Sequence, residues 1–187
     1  MRIAALKTND IVDSDDGFAV SLWTVGCPHR CPGCHNAQYW QPDSGEECTD
    51  LDALTTRILR AIHRNGMERC FSILGGEPLA PWNREGVAYL INRIKTKCPT
   101  IKIYLWSGYT IEELREADDK NINQVLSQVD YLIEGRFVLA KRDITLKLRG
   151  SSNQRIFMQT VDGLKDVTAK MDNATDEINV IQESLMA

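Results

Sequence analysis

The sequence predicts an α/β fold built on a largely parallel sheet. Strand-like apolar runs alternate with helical patterns, which implies parallel pairing through right-handed crossovers. No repeat, low-complexity tract or Gly/Ser linker divides the 187 residues, so one compact domain is expected. The chemically unusual residues each follow the C-terminal end of a predicted strand, the edge where parallel α/β folds assemble their sites.

The elements follow in order. Phe18–Val25 (FAVSLWTV) is rich in β-branched and aromatic residues and ends at Gly26, as a strand should. Leu51, Leu54, Ile58, Leu59 and Ile62 recur at helical spacing, with Thr49 or Asp50 as N-cap and Asn65-Gly66 as the stop. Cys70–Leu74 reads as a buried strand broken by Gly75-Gly76, and Val87, Leu90, Ile91 and Ile94 mark the next helix. Lys102–Trp106 is a third strand. Thr110 and Glu113 form a capping-box pattern, in which each side chain satisfies a free backbone N–H at a helix start. That helix breaks near Asp118-Asp119 and resumes through Ile122, Val125, Leu126 and Val129, before a strand at Tyr131–Glu134 closed by Gly135. The chain is too short for an eight-unit barrel of ~250 residues, leaving an open doubly wound sheet or a partial barrel.

Composition excludes several classes of function. A net charge of −4 and a pI near 5.4 give no global attraction to nucleic acid or anionic membrane. The N-terminus is polar and acidic and lacks a secretory apolar core, and no run approaches the ~20 apolar residues of a membrane span. A cytosolic protein is expected. Of six cysteines, three crowd into eight residues, which in a reducing compartment points to metal rather than disulfides.

Gly26-Cys27-Pro28-His29-Arg30-Cys31-Pro32-Gly33-Cys34-His35 sets three thiols in a C-x3-C-x2-C loop kept irregular by two prolines and two glycines. Structural zinc normally has four ligands. Here there is no second knuckle, His35 adjoins Cys34, and Cys48 lies in an acidic segment; a zinc-binding interaction module remains the non-enzymatic alternative. A cubane iron–sulfur cluster held by three cysteines would leave one iron open to an outside ligand.

This loop resembles the signature of the radical S-adenosylmethionine enzymes. The resemblance implies a partial (β/α)6-type barrel over residues 1–160, with 161–187 as an acidic helical tail on its edge. It also implies a [4Fe-4S] cluster on Cys27, Cys31 and Cys34, S-adenosyl-L-methionine on the open iron, and a 5′-deoxyadenosyl radical as product. Many members carry an aromatic residue just before the third cysteine, where this chain has Gly33. His35, Tyr39 or Trp40 are candidates to stack on adenine in its place. Gly75-Gly76-Glu77-Pro78-Leu79 resembles the family's GGEP segment, which receives the methionine ammonium. Ser107 and Gly108, in W-S-G-Y-T, resemble a cofactor-lining strand end.

Asp130–Phe137 and Arg149–Arg155 (RGSSNQR) resemble the activating proteins of anaerobic ribonucleotide reductases, a glycyl-radical activase family. This implies an anaerobic ribonucleoside-triphosphate reductase as protein substrate and a low-potential electron donor such as flavodoxin. Activators of pyruvate formate-lyase type and small-molecule radical enzymes are the alternatives. Arg136, Lys141, Arg142, Lys147, Arg149 and Arg155 against Asp143 make a basic strip, either a solvated face or a partner-docking surface. Cys48, Cys70 and Cys98 read as unreactive thiols and His63 as charge at a helix end.

Overall fold

The computed structural model describes residues 1–173. The chain runs β1 (Arg2–Asp10), β2 (Ala19–Thr24), β3 (Glu46–Glu47), α1 (Leu51–Ile62), β4 (Cys70–Gly75), α2 (Arg84–Lys97), β5 (Ile103–Ser107), α3 (Ile111–Glu116), α4 (Lys120–Gln128), β6 (Tyr131–Glu134), β7 (Arg155–Thr160) and β8 (Gly163–Asp166). All eight strands form one sheet in the order β3-β1-β2-β4-β5-β6-β7-β8.

At its centre β2, β4, β5 and β6 are parallel and lie side by side in chain order. Because that order never reverses, right-handed crossovers put the connecting helices on one face of the sheet. Strand parity records this: Val20, Leu22, Phe71, Ile73, Ile103, Leu105 and Leu132 share one core with Leu54 and Ile58 of α1, Leu90 and Ile91 of α2, Leu114 of α3 and Val125 of α4. The alternate residues Ala19, Cys70, Tyr104, Ile133 and Ile156 cluster on the other face. The sheet is therefore singly wound, which removes the doubly wound alternative, since that needs a point where strand order reverses. The α/β class is as expected. Four strands are parallel rather than six, because β1, β7 and β8 join antiparallel through connections that hold no α-helix.

Local chemistry sets the helix boundaries. Asp50 caps α1 by accepting from the Ala53 N–H at 2.8 Å, and Thr110 and Glu113 complete the capping box on α3. Asp118 takes a positive φ and Asp119 caps α4, which produces the break expected there.

The face without helices is roofed by two irregular segments, 11–18 and 136–154. The Ser72 hydroxyl donates to the Asp13 carbonyl, the Tyr104 hydroxyl to the Asp16 carboxylate, and the Trp106 indole to the Leu148 carbonyl at 2.8 Å. The chain runs past residue 160 into β8, which stays in the sheet, and the helix expected of the tail begins after it, at residues 168–173. Val167 and Met171 pack on the second apolar cluster. The rest of the expected tail, including Ile178, Val180, Ile181 and Leu185, lies outside the described residues.

Ile91 is fully buried between the sheet and its helices. Ile91→Ala is expected to lower unfolding free energy by about 2–5 kcal/mol, measured as a shift of the urea midpoint with an unchanged slope.

Candidate active site at the carboxyl ends of the parallel strands

The loops that follow β2, β4, β5 and β6 meet at a cavity of about 820 Å³. Cys27, Cys31, Gly33, Cys34 and His35 line it from the first loop, Gly75, Gly76 and Glu77 from the second, Ser107 and Gly108 from the third, and Gly135 from the fourth. Every site residue expected from sequence thus reaches one space. Trp40 also lines it, whereas Tyr39 packs edge-on against Trp23 with ring centroids 5.7 Å apart.

Glu77 organises the junction. It is fully buried, and both carboxylate oxygens are engaged. Oε1 accepts from the Leu79 N–H and the Ser107 hydroxyl, both at 2.9 Å. Oε2 accepts from the Gly108 N–H at 2.7 Å and from His29 Nε2 at 3.0 Å. Four donors on one carboxylate offset the cost of removing its charge from water. Sequence reasoning pointed Glu77 toward a cofactor ammonium, but its oxygens are taken by protein donors, and its evident work is to tie three strand ends together.

His29 connects this hub to the cysteine loop. Its ring sits where a Gly108 side chain would begin: a Cβ there would lie 2.3 Å from the imidazole. Tyr109 closes on the ring edge-on at 4.4 Å between centroids. Sequence reasoning gave His29 no role, although its place between Cys27 and Cys31 was visible.

Gly33 has its own constraint. With φ of +75°, and with the Leu139 side chain 2.8 Å from its would-be Cβ, it leaves no room for the aromatic residue common at this position. Leu139 belongs to the 136–154 segment, which reaches the cysteine loop again where the Phe137 backbone N–H faces the Cys31 thiol. Burial pushes the Cys27 thiol up to about 11, helped by the nearby Glu77 charge, and raises Cys31 as well. These thiols are protonated at neutral pH and would release protons on binding metal.

The RGSSNQR stretch builds the 136–154 segment. Gln154 Oε1 accepts from the Gly150 and Ser151 N–H groups at 2.9 and 3.1 Å, and its Nε2 donates to the Gly135 carbonyl at 3.0 Å. Asn153 donates to the Arg136 carbonyl at 2.9 Å. Most of the basic strip is consumed internally: Arg136 grips Glu113, Lys147 meets Asp15, Arg149 meets Asp172, and Arg155 holds Glu112 and Glu134. Among the described residues no ion pair involves Lys141 or Arg142.

The donor set that faces the cavity is three thiols on one loop, the ligand type that iron–sulfur clusters take. Three of the six cysteines line the cavity; Cys70 is buried in the second apolar cluster, and Cys98 lies 3.1 Å from His63 Nε2. Among the described residues no three His, Cys, Asp or Glu side chains converge as a single metal ion requires. Several cavity-lining residues also hold buried polar atoms without protein partners: Trp23 Nε1, Trp40 Nε1, Arg149 Nε and Asn36 Oδ1. Native interiors satisfy such groups, so a polar ligand is expected beside them.

Residues 15–157 match the family of 4Fe-4S single cluster domains. The chain is 36% identical over 159 residues to the anaerobic ribonucleoside-triphosphate reductase-activating protein of Vibrio cholerae, covering 81% of this chain and 94% of that one. The chain belongs to this activating-protein family. The Escherichia coli K12 member is 36% identical over 146 residues, covering 78% and 90%, and that of Enterobacteria phage T4 is 34% identical over 149 residues, covering 79% and 88%. The matched span of the cluster-domain family contains the cysteine loop, Glu77, Ser107 and RGSSNQR, while β1 lies before it. Among the described residues no helix is long and apolar enough to cross a membrane.

Glu77→Ala leaves four donors unpaired and is expected to cost about 3 kcal/mol or more in stability by chemical denaturation. Glu77→Gln should cost less. Asp13, beside the cavity, is raised from its ordinary 3.8 to about 7 by burial and by its contact with Asp10. It binds its proton more tightly folded than unfolded, so its contribution to stability is full below pH 3.8 and is lost as pH rises through about 7. Asp13→Asn should therefore flatten the fall in melting temperature between pH 5 and 8.

Proposed function

We propose that this chain is a radical S-adenosylmethionine activase that installs a glycyl radical on an anaerobic ribonucleoside-triphosphate reductase. The observation that carries the reading is the convergence of ten expected site residues, from three loops, on one cavity. The membership of the activating-protein family supports the choice of partner.

Cys27, Cys31 and Cys34 would hold the [4Fe-4S] cluster, and the cavity leaves space beside them for a nucleoside-sized ligand. When bound, the cluster and S-adenosyl-L-methionine supply the electron transfer and carbon–sulfur cleavage that yield a 5′-deoxyadenosyl radical, which takes hydrogen from glycine. The protein's part is placement. His29 and Glu77 fix the cysteine loop against the strand ends. The 136–154 segment covers the loop from outside through Phe137 and Leu139. The unpartnered N–H groups of Trp23, Trp40 and Arg149 would meet acceptors of the bound cofactor or substrate. In this reading the sheet is a reduced partial barrel: its sequential strand order is that of a barrel wall, and the segments at 11–18 and 136–154 roof its inner face. A cytoplasmic setting and a flavodoxin-type electron donor accompany the proposal.

The test is anaerobic reconstitution with iron and sulfide, followed by reduction with S-adenosylmethionine and the reductase. The wild type is expected to give 5′-deoxyadenosine and a glycyl radical signal by electron paramagnetic resonance. Cys27→Ala, Cys31→Ala and Cys34→Ala should each lose both together with the cluster absorbance. A chain that binds zinc and takes up no iron would overturn the reading.

A further inference from the structure

Two thiols of the cysteine loop have backbone donors from the loop itself. Cys27 faces the N–H groups of His29 and Arg30, and Cys34 Sγ accepts from the Asn36 N–H at 3.4 Å. Cys31 differs, because its donor is the Phe137 N–H, which arrives from the 136–154 segment. The peptide unit that carries this donor is gripped from behind. The Asn153 side-chain amide donates to the Arg136 carbonyl at 2.9 Å, the acceptor end of the same peptide group. Arg136 is itself fixed by a two-pronged pair with Glu113, at 3.1 and 2.9 Å, and its charge reaches Cys31 as well. Both Arg136 and Phe137 line the cavity.

We infer that the Arg136–Phe137 peptide, backed by Asn153 and by the Arg136 charge, sets the reduction potential of a cluster held on Cys31, with Asn153 of RGSSNQR as the positioning residue for that donor. The inference rests on the cluster part of the activase reading and adds to it the element that tunes the cluster. A hydrogen bond to a ligating sulfur, or a positive charge beside it, stabilises the more negative reduced state and so raises the potential. A peptide whose carbonyl accepts a hydrogen bond is polarised, which makes its own N–H a stronger donor. The placement of the donor has a further consequence. The Phe137 N–H and the Leu139 side chain that packs on Gly33 belong to one short stretch of the cover. Ease of reduction is therefore tied to the cover being seated, whereas the donors at Cys27 and Cys34 stay with the loop wherever the cover lies.

The full chain is reconstituted anaerobically with iron and sulfide, and its midpoint potential is read by redox titration with electron paramagnetic resonance, without S-adenosylmethionine or reductase. Phe137→phenyllactic acid exchanges the amide for an ester and keeps the side chain. Arg136→Gln removes the charge, and Asn153→Ala removes the brace. Each is expected to lower the midpoint, the ester most, by about a threefold to tenfold weaker reduction equilibrium, tenfold being about 59 mV for a one-electron couple. Arg60→Gln removes the same charge from the last turn of α1, at the opposite end of the sheet, and should leave the midpoint at the wild-type value. A second measurement needs no variant. With phenylalanine labelled by nitrogen-15, the reduced wild type should show a nitrogen hyperfine coupling from Phe137, since Phe71 and Phe157 lie in the core beneath the sheet and Phe18 precedes β2. Wild-type midpoints in both the ester and Arg136→Gln, or no coupling from the labelled nitrogen, overturns the inference. A chain that shows the shifts and the coupling but forms no 5′-deoxyadenosine with S-adenosylmethionine loses the activase reading and keeps this one.

Discussion

The arrangement of this site depends on one buried carboxylate. Glu77 sits two residues beyond the end of β4, without solvent, and its oxygens receive donors from the cysteine loop, from its own turn and from the end of β5. An anion in that position is tolerable only because all four donors arrive, and each donor's position is in turn fixed by the anion. Gly108 must lack a side chain so that His29 can enter, and Ser107 must end β5 with its hydroxyl turned inward. A second buried acid repeats the device one strand further on. Glu134, the last residue of β6, accepts from the Ile111 N–H at 3.0 Å at the start of α3 and pairs with Arg155 at the start of β7. Burial still raises its pKa, with Arg155 pulling the other way. Two carboxylates thus stitch neighbouring strand ends where the sheet's own hydrogen bonds stop.

The 136–154 segment shows how a motif and its function can separate. RGSSNQR carried the most specific resemblance in the sequence, yet its amides and hydroxyl mainly bond to backbone within the same segment. The motif's product is a shaped cover. That cover sets Leu139 on Gly33, the Phe137 N–H near Cys31 and the Leu148 carbonyl over the Trp106 indole N–H. The basic strip looks different in this light. A local excess of positive charge invited a partner, but four of its six residues are paired to acids distant in sequence, which composition has no means of revealing.

The parallel core was legible because its strands are buried on both faces and so read as continuous apolar runs bounded by glycine. Capping residues placed α1 and α3 equally well, since a cap is a local interaction. β1 escaped notice because it flanks the core, half exposed, with lysine, threonine and asparagine among its residues. β7 and β8 were hidden for a similar reason, and the charged residues after 161 suggested a helical tail that begins only at residue 168, after the hairpin. At the site, the residue types named for the cofactor were visible as motifs. The acid pair Asp10 and Asp13 and the floor residue Trp23 were not, because what brings them to the cavity is strand parity and the path of a loop.

On the proposed reading the loop carries three cluster thiols, which poses a mechanical problem. A closed zinc site fixes its own loops by using four protein ligands, but a reactive cluster must keep one iron free, so the metal cannot supply the fourth point of attachment. In this chain that point is a hydrogen bond. His29, between the first and second cysteines, joins the loop to Glu77, while the Gly26 and Cys27 N–H groups hold the Tyr39 and Trp40 carbonyls at 2.8 and 3.0 Å behind it. Leu139 packs on Gly33 at the far end. The loop is thereby held by protein contacts at its beginning, middle and end. On that reading the missing fourth cysteine and the buried His29–Glu77 pair are two sides of one solution: attachment comes from the strand ends, and an open coordination position would be left for chemistry.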